Sequence, residues 1–163
     1  MPLPEKKTAP VPEHPATETY QDLRQWLNVV DGFGELEKID NADWNLEVGT
    51  LAELIYRERT GVNPALLFDH IKDYPKGFRI LVGQNSSLRR LALTLNLPAD
   101  GDGIALVDRF RKKLSTLTPI PPKVVKDGPI FENQASGKDV DLLKFPVPVV
   151  HELDGGRFIG TAC

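Results

Sequence analysis

The sequence is poor in the residues that form cross-links, metal clusters and membrane spans. Its single cysteine, Cys163, excludes an internal disulfide and a cysteine zinc cluster within this chain of 163 residues. No apolar run approaches the roughly 20 residues of a membrane-spanning helix, and the opening MPLPEKKTAP lacks the apolar core of a secretion signal. The net charge of −3, with acidic and basic residues interspersed, provides no basic surface for nucleic acid. These absences predict a soluble cytoplasmic protein that binds neither nucleic acid nor a membrane.

Short catalytic motifs are also missing. The chain has no nucleophile-elbow, phosphate-loop or dinucleotide-binding glycine pattern. Its three histidines, His14, His70 and His151, lie far apart and form no metal-binding pair, so no metal site is predicted. His151 stands beside Glu152 and Asp154, but a polar surface loop accounts for this grouping. The residues alone therefore predict a domain without catalytic residues of its own.

Two polar clusters have simple structural interpretations. The basic residues at 109–113 fit the solvated face of a helix, with Arg109, Arg111, Lys112 and Lys113 pointing outward. The Asn-Ser-Ser sequence at 85–87 could hold an anion at a helix start, where free backbone N–H groups point outward. Helix capping explains the same residues without a ligand, and we prefer it.

The chain divides into three predicted parts. Residues 1–18 carry five of the fourteen prolines and no apolar period, which predicts a disordered lead-in. Residues 19–144 alternate helical and strand-like patterns, which predicts an α/β domain with a small mixed sheet flanked by about four helices. Residues 145–163 predict the first strand of a further β domain.

The helices are predicted from apolar residues at helical spacing. We expect the first to begin at a Thr19 capping box, the second at an Asn45 cap, the third at Asn85 or Ser86, and the fourth to span 104–114. Their predicted apolar stripes are Leu23, Trp26, Leu27 and Val30; Val48, Leu51, Ala52 and Ile55; Leu88, Leu91, Ala92 and Leu95; and Leu106, Val107, Phe110 and Leu114. Short apolar runs predict strands at 35–40, 65–68 and 78–82, and less regular ones at 124–125 and 130–133. The predicted core is Trp26, Leu27, Leu51, Ile55, Leu66, Phe68, Leu91 and Phe110.

The last stretch, FPVPVVHELDGGRFIGTAC, differs from everything before it. Its two prolines impose an extended entry, and Asp154-Gly155-Gly156 is typical of a chain reversal. Residues 157–162 then form a strand-like run that the chain abandons at Cys163. We expect that the sequence stops just inside a second domain. We also expect the tail from Phe145 to be frayed or sticky in this chain, because that strand would have unpaired edges.

Six stretches from Tyr20 onward resemble the UbiD-like decarboxylases, which use prenylated flavin mononucleotide (prenylated FMN). They are DLRQWL (22–27), GELEKI (34–39), PALLF (64–68), VGQN (82–85), GKDVDLLKFPVP (137–148) and DGGRFIGT (154–161). The last two, adjacent and in the family's order, are the most specific. The resemblance identifies 145–163 as the start of the family's flavin-binding domain.

The resemblance implies non-oxidative, reversible decarboxylation of an aromatic, heteroaromatic or unsaturated carboxylic acid. The prenylated FMN would act as the electron sink, with its phosphate held through a divalent metal, commonly Mn²⁺, and K⁺ nearby. Of the family's cofactor-facing positions only Thr161 has a counterpart here. The family's catalytic residues and metal ligands lie further along, so the resemblance implies no catalytic or metal-binding residue in this chain and no activity from it alone.

Two interpretations remain open at this point. In the first, the chain is the N-terminal part of a decarboxylase that assembles as a homo-oligomer. In the second, it is a non-catalytic interaction or scaffold domain that pairs with a separate catalytic subunit. We favour the first because the sequence stops within a strand.

Overall fold

The computed structural model describes residues 20–157 and 159–160 of the chain. The predicted lead-in 1–18, the Thr19 capping position and Thr161 lie outside the described residues. The helices and strands, in chain order, are α1 (Leu23–Gly32), β1 (Leu36–Asp40), α2 (Glu47–Glu58), β2 (Ala65–Asp69), β3 (Ile80–Val82), α3 (Leu88–Thr94) and α4 (Gly103–Thr116). Short 3₁₀ turns follow at Pro129–Phe131, Gly137–Asp139 and Leu142–Lys144. The predicted α/β class, with a small mixed sheet and four α-helices, is confirmed.

The sheet has the strand order β1-β2-β3. Strand β1 pairs parallel to β2, with Leu36 opposite Ala65, and the crossover that a parallel pair requires is provided by α2. Strand β3 pairs antiparallel to β2, with Leu67 opposite Leu81. The described sheet is therefore mixed, with β2 at its centre.

Side chains of β2 alternate between two apolar layers because successive strand residues point to opposite faces. Ala65 and Leu67 pack with α1 residues, which include Trp26, Leu27 and Val30. Leu66 and Phe68 pack on the other face with Val48 and Ala52 of α2. The sheet is thus enclosed between α1 and α2, and Leu51 and Ile55 are partly buried at the edge of the α2 layer.

The helix starts differ from three of the predictions. Asp22 caps α1, accepting a 2.8 Å hydrogen bond from the Gln25 N–H, so the helix begins later than a Thr19 cap would place it. Ser87 caps α3 in the same way, one residue beyond the predicted start. Asn45 does not cap α2, because Leu46 occupies the cap position and makes no side-chain cap hydrogen bond.

Helix α4 buries less than its pattern predicted. Only Leu106 is buried, whereas Val107 and Leu114 are at least half exposed and Phe110 is half-buried. Among the described elements α4 packs chiefly on the short helix α3, which is too small to cover a full apolar stripe. Leu23 and Leu88, each in the first turn of its helix, are also exposed. Half-buried Leu91 and Phe110 are therefore not central core residues.

The basic face of α4 is also not uniformly outward. Arg109 donates to the Pro98 and Asp100 carbonyl oxygens, and Lys113 donates to Leu95 O over 2.6 Å. Both side chains tie α4 to the end of α3 and the loop that follows it. Arg111 and Lys112 point outward as predicted and pair with Asp108 on the same helix.

The predicted strands at 124–125 and 130–133 are wrong. Residues 124–125 are irregular and exposed, and the second segment is a 3₁₀ turn at Pro129–Phe131. The prolines at 119, 121, 122 and 129 lack the N–H that strand pairing requires, which explains the outcome. Across the described residues, no helix is both long and apolar enough to cross a membrane.

Candidate functional site

The chain's route toward its predicted cofactor residue is the candidate functional site. Thr161 lies outside the described residues, as do residues 158 and 162 of the strand predicted at 157–162. Arg157, Ile159 and Gly160, which are described, are not in a strand. What the structure does describe is the segment 145–157, which we call the junction segment.

The junction segment is hydrogen-bonded to the start of α2. The Val149 N–H donates to Trp44 O over 3.0 Å, and the Leu46 N–H donates to Val149 O over 2.9 Å. These bonds form a parallel bridge between Asn45 and Val149. Val147 is buried just before the bridge. The segment from Phe145 to Arg157 therefore has defined contacts with the α/β domain, in contrast to the frayed tail that the sequence predicted.

Two backbone features of the α2 start allow this close approach. Gly49 faces the Val150 carbonyl, and a Cβ at this position would lie far inside van der Waals contact of that oxygen. Leu46 has φ +70, a backbone region that is unfavourable for residues other than glycine. This conformation accompanies the hydrogen bond from its N–H to Val149, so the junction segment explains why Asn45 does not cap the helix.

A carboxylate at the start of this loop holds it in place. Asp43 accepts hydrogen bonds from the Asn45 N–H at 2.9 Å and from Lys72 Nζ at 2.8 Å. The hydrogen bonds from Lys72 and from the Asn45 N–H lower the pKa of Asp43 below its usual value. The hydrogen bond to the Asp43 carboxylate and its negative charge in turn raise the pKa of Lys72. Asp43 thus joins the loop before α2 to the loop after β2.

The junction segment turns between Val150 and Gly156, where the sequence predicts a reversal. Asp154 Oδ2 accepts hydrogen bonds from the Val150 and His151 N–H groups at 3.2 and 2.9 Å. The exposed His151 ring lies 3.9 Å from Asp154 Oδ1 and contacts no second acid closely enough to form an ion pair among the described residues. The surface-loop interpretation of this histidine therefore fits the structure.

After the turn, Arg157 returns to the body of the domain. Its guanidinium lies 3.2 Å from the centroid of the Trp44 ring and donates to the Tyr74 hydroxyl over 2.7 Å. That hydroxyl in turn donates to Leu143 O at 3.0 Å. The Tyr74 ring also packs edge-to-face on Phe78, which packs in the same way on Phe145 at the start of the junction segment.

A buried ionic network, which sequence reasoning missed, lies around α3. Arg90 is fully buried and pairs with Glu35 Oε2 at 2.7 Å. Its other donors reach the carbonyls of Asn63, Gly83 and Gln84 and the Ser86 hydroxyl. Burial lowers the pKa of Arg90, and Glu35 opposes this shift. Nothing in the sequence around Arg90 indicated that this arginine would be buried.

The two serines of the Asn-Ser-Ser sequence belong to this network. Ser87 Oγ accepts from the Arg90 N–H at 3.1 Å and donates to Glu35 at 2.7 Å. Ser86 Oγ accepts from Arg90 and donates to Gly83 O at 2.7 Å. The capping interpretation is confirmed, and neither hydroxyl is left for an anion. Close by, burial raises the pKa of Tyr56, whose hydroxyl donates to Pro64 O.

A polar cleft of about 530 Å³ lies between α1 and the ends of β1 and β2. Its charged and polar lining comprises Arg24, Asn28, Asp31, Lys38, Asp69 and Arg79. A second cleft of about 510 Å³ shares Arg24, Asp69 and Arg79 and continues to His70 and Lys76. Charges of both signs line the two clefts. In the described part of the chain, no three His, Cys, Asp or Glu side chains are grouped closely enough to hold a metal ion, and the absence of a metal site from the whole chain stays a prediction.

Two family models match the chain in succession. Residues 27–110 match the 3-octaprenyl-4-hydroxybenzoate carboxy-lyase N-terminal domain, a range that includes the second half of α1, the sheet, α2, α3 and the first half of α4. Residues 123–163 match the Rift-related domain of the same carboxy-lyase. The chain belongs to the UbiD family. The predicted resemblance is confirmed, whereas the domain division after residue 144 stays a prediction.

UbiD-family relatives agree with this assignment. The chain is 36% identical over 149 residues to a pyrrole-2-carboxylic acid decarboxylase of Pseudomonas aeruginosa, and covers 29% of that protein with 86% of its own length. It is 32% identical over 155 residues to ferulic acid decarboxylase 1 of Candida dubliniensis, covering 29% of it with 85% of its own length. The chain therefore spans less than a third of the curated relatives that it matches.

Solved UbiD-family structures share the fold. The vanillic acid decarboxylase of Sedimentibacter hydroxybenzoicus, ShVdcCD, in its open form with a truncated ShVdcD, matches with a TM-score of 0.68 and 26% identity over 86% of this chain and 30% of that one. The UbiD-class enzyme HmfF of Pelotomaculum thermopropionicum, in complex with FMN, matches with a TM-score of 0.62 and 24% identity over 83% of this chain and 28% of that one.

Proposed function

We propose that this chain forms the N-terminal part of a UbiD-family decarboxylase. The complete protein removes carbon dioxide, reversibly and without net oxidation, from an aromatic, heteroaromatic or unsaturated carboxylic acid. The observation that carries this proposal is the succession of two carboxy-lyase family models along one chain, at 27–110 and 123–163. The names of the relatives support the substrate class, since pyrrole-2-carboxylic, ferulic and vanillic acids each join a carboxyl group to an aromatic or unsaturated system.

The cofactor in this proposal is prenylated FMN, with Mn²⁺ and K⁺ at its phosphate. Decarboxylation leaves an electron pair on the carbon that loses the carboxyl group, and a flavin-derived ring supplies the electron sink that protein side chains lack. The FMN complex of HmfF, a protein with the same fold in this region, is consistent with a flavin. The described residues do not fit the metal, because no cluster of ligands occurs among them.

The role of this chain's own residues is then to hold the entry to the flavin domain. The parallel bridge at Asn45 and Val149 and the buried Val147 fix the junction segment on the α/β domain. Thr161, shortly beyond that segment in the sequence, is proposed to lie near the flavin.

One observation supports a second function, that of a non-catalytic domain paired with a separate catalytic subunit. The vanillic acid decarboxylase that matches this chain is designated ShVdcCD and includes a truncated ShVdcD, so more than one component is named for it. The Rift-related match within this same chain favours the first function.

One experiment tests the first of these functions. The 163-residue chain and a complete protein that contains it are each supplied with prenylated FMN and Mn²⁺, passed through gel filtration and examined for flavin absorbance. Carbon dioxide release is then assayed on a panel of aromatic, heteroaromatic and unsaturated acids. We expect the complete protein to retain flavin and release carbon dioxide, and the short chain to do neither. Stoichiometric flavin on the short chain would contradict the expectation that this chain alone does not bind the cofactor. A flavin-loaded complete protein that is inactive on every acid would overturn the proposed decarboxylation.

A further inference from the structure

Arg157 occupies an unusual position for a side chain that immediately follows a glycine turn. Its guanidinium stacks 3.2 Å from the centroid of the Trp44 ring, at the start of the α2 loop. The same guanidinium donates to the Tyr74 hydroxyl, which belongs to the loop between β2 and β3. A single side chain from the tail thus joins two loops that lie apart in the sequence.

The Tyr74 hydroxyl contacts the chain just before the junction segment and at its last residue. It donates to Leu143 O, just before the segment begins, and accepts from Arg157, where the segment ends. Between these two contacts, Val149 is bridged to the backbone of Trp44 and Leu46. The segment therefore leaves the domain surface, turns and closes on the hydroxyl from which it started.

We propose that Arg157 is a positioning residue that fixes the point at which the chain leaves the α/β domain and enters the flavin-binding part. The effect on flavin rests on the function proposed above, whereas the closure of the junction segment does not. Without the guanidinium, the turn at Asp154 keeps its internal hydrogen bonds but loses its connection to Trp44 and Tyr74.

The chemistry of arginine suits this role. A guanidinium is planar, so it stacks on an indole through its face while its edge still donates hydrogen bonds. A lysine ammonium at this site would keep the charge over Trp44 but lacks the planar geometry to serve both partners. The conservative substitution should therefore restore only part of the closure.

The first test needs no cofactor and uses the 163-residue chain. Hydrogen exchange is measured at the Val149 and Leu46 amides in Arg157→Met, Arg157→Lys and a control, Arg111→Met. Arg111 is an exposed residue that pairs only within α4 among the described residues. We expect Arg157→Met to speed exchange at both amides about tenfold while the β2 amides stay unchanged. Arg157→Lys should fall between wild type and Arg157→Met, and Arg111→Met should match wild type.

A spectroscopic signal reports the same closure. In a Trp26→Phe background, Trp44 is the single tryptophan, and removal of the guanidinium from its ring should shift its emission to longer wavelength. Unchanged exchange at Val149 together with unchanged Trp44 emission in Arg157→Met would overturn the closure.

The second test uses the complete protein and measures flavin retained per folded molecule after gel filtration. We expect Arg157→Met to retain severalfold less flavin than wild type, with partial recovery in Arg157→Lys and none lost in Arg111→Met. A loosened junction segment with full flavin retention would overturn the positioning role. A wild-type protein that retains no flavin would instead count against the proposed function, and the exchange experiment would still decide the closure.

Discussion

At the scale of single residues, Gly49 shows how the sequence of α2 is adapted to the segment that docks on it. A glycine inside a helix costs roughly 0.5–1 kcal/mol relative to alanine, because it loses more backbone freedom on folding. Here a glycine stands where a Cβ would collide with the Val150 carbonyl oxygen. Close backbone approach therefore explains this residue better than helix propensity does.

Replacing Gly49 by alanine should displace the junction segment while leaving the sheet intact. We expect faster hydrogen exchange at Val149 and no gain in the free energy of unfolding, although a helical Gly→Ala change normally stabilises. Gly32→Ala in α1 is the matched control, since a Cβ there meets no atom within 4 Å. A stabilised Gly49→Ala variant with a protected Val149 amide would contradict this explanation.

At the scale of secondary-structure elements, the central layers could be predicted from the sequence and the periphery could not. The β2 run of Ala65, Leu66, Leu67 and Phe68 is buried on both faces, and its apolar continuity alone predicted a strand there. The stripe of α4 has the same regularity but faces only the short α3 among the described elements. Periodicity reports which face of a helix is apolar, and it does not report whether anything covers that face.

The two aromatic residues predicted for the core should therefore respond unequally to truncation. Trp26→Ala should lower the free energy of unfolding by about 3–5 kcal/mol, because Trp26 is 3% exposed between α1 and the sheet. Phe110→Ala should cost clearly less, since Phe110 is half-buried on α4. Urea denaturation of both variants measures the difference. Equal losses would mean that α4 packs more tightly than the structure shows.

The candidate site was predictable only in outline. The prolines and the glycine turn of 145–163 predicted that this stretch begins a further domain. The sequence could not reveal that Trp44 and Tyr74 receive Arg157, since those residues lie far away in the chain and belong to loops without a recognisable pattern. The sequence likewise did not predict the burial of Arg90, because a charged side chain is normally expected at the surface.

At the scale of the whole molecule, the chain carries an apolar surface that its own described residues leave uncovered. Ile120, Val124 and Ile130 are 91%, 94% and 81% exposed in the irregular segment after α4. Much of that segment falls within the match to the Rift-related domain, which begins at residue 123. Under the function proposed above, we expect the remainder of the complete protein to cover these side chains.

Serine substitution of these three residues tests that expectation. In the 163-residue chain, the triple variant should change the free energy of unfolding little, because exposed side chains typically contribute within about 0.5 kcal/mol each. In a complete protein the same change should destabilise clearly, since it would replace buried apolar contacts. Val107→Ser on the exposed side of α4 is the control, and equal effects in both proteins would contradict the proposed cover.

The buried Arg90 has a consequence for how the sheet assembles. Its guanidinium donates hydrogen bonds to residues next to each of the three strands. The acceptors are Glu35 before β1, Asn63 before β2, and Gly83 and Gln84 after β3. A one-residue shift of β1 would move Glu35 away from Arg90 and leave a buried charge unpaired, which typically costs about 3–5 kcal/mol, whereas a shift of β2 or β3 would remove a carbonyl acceptor. Arg90 thus favours the observed strand register, because each strand contributes an acceptor to the same buried guanidinium.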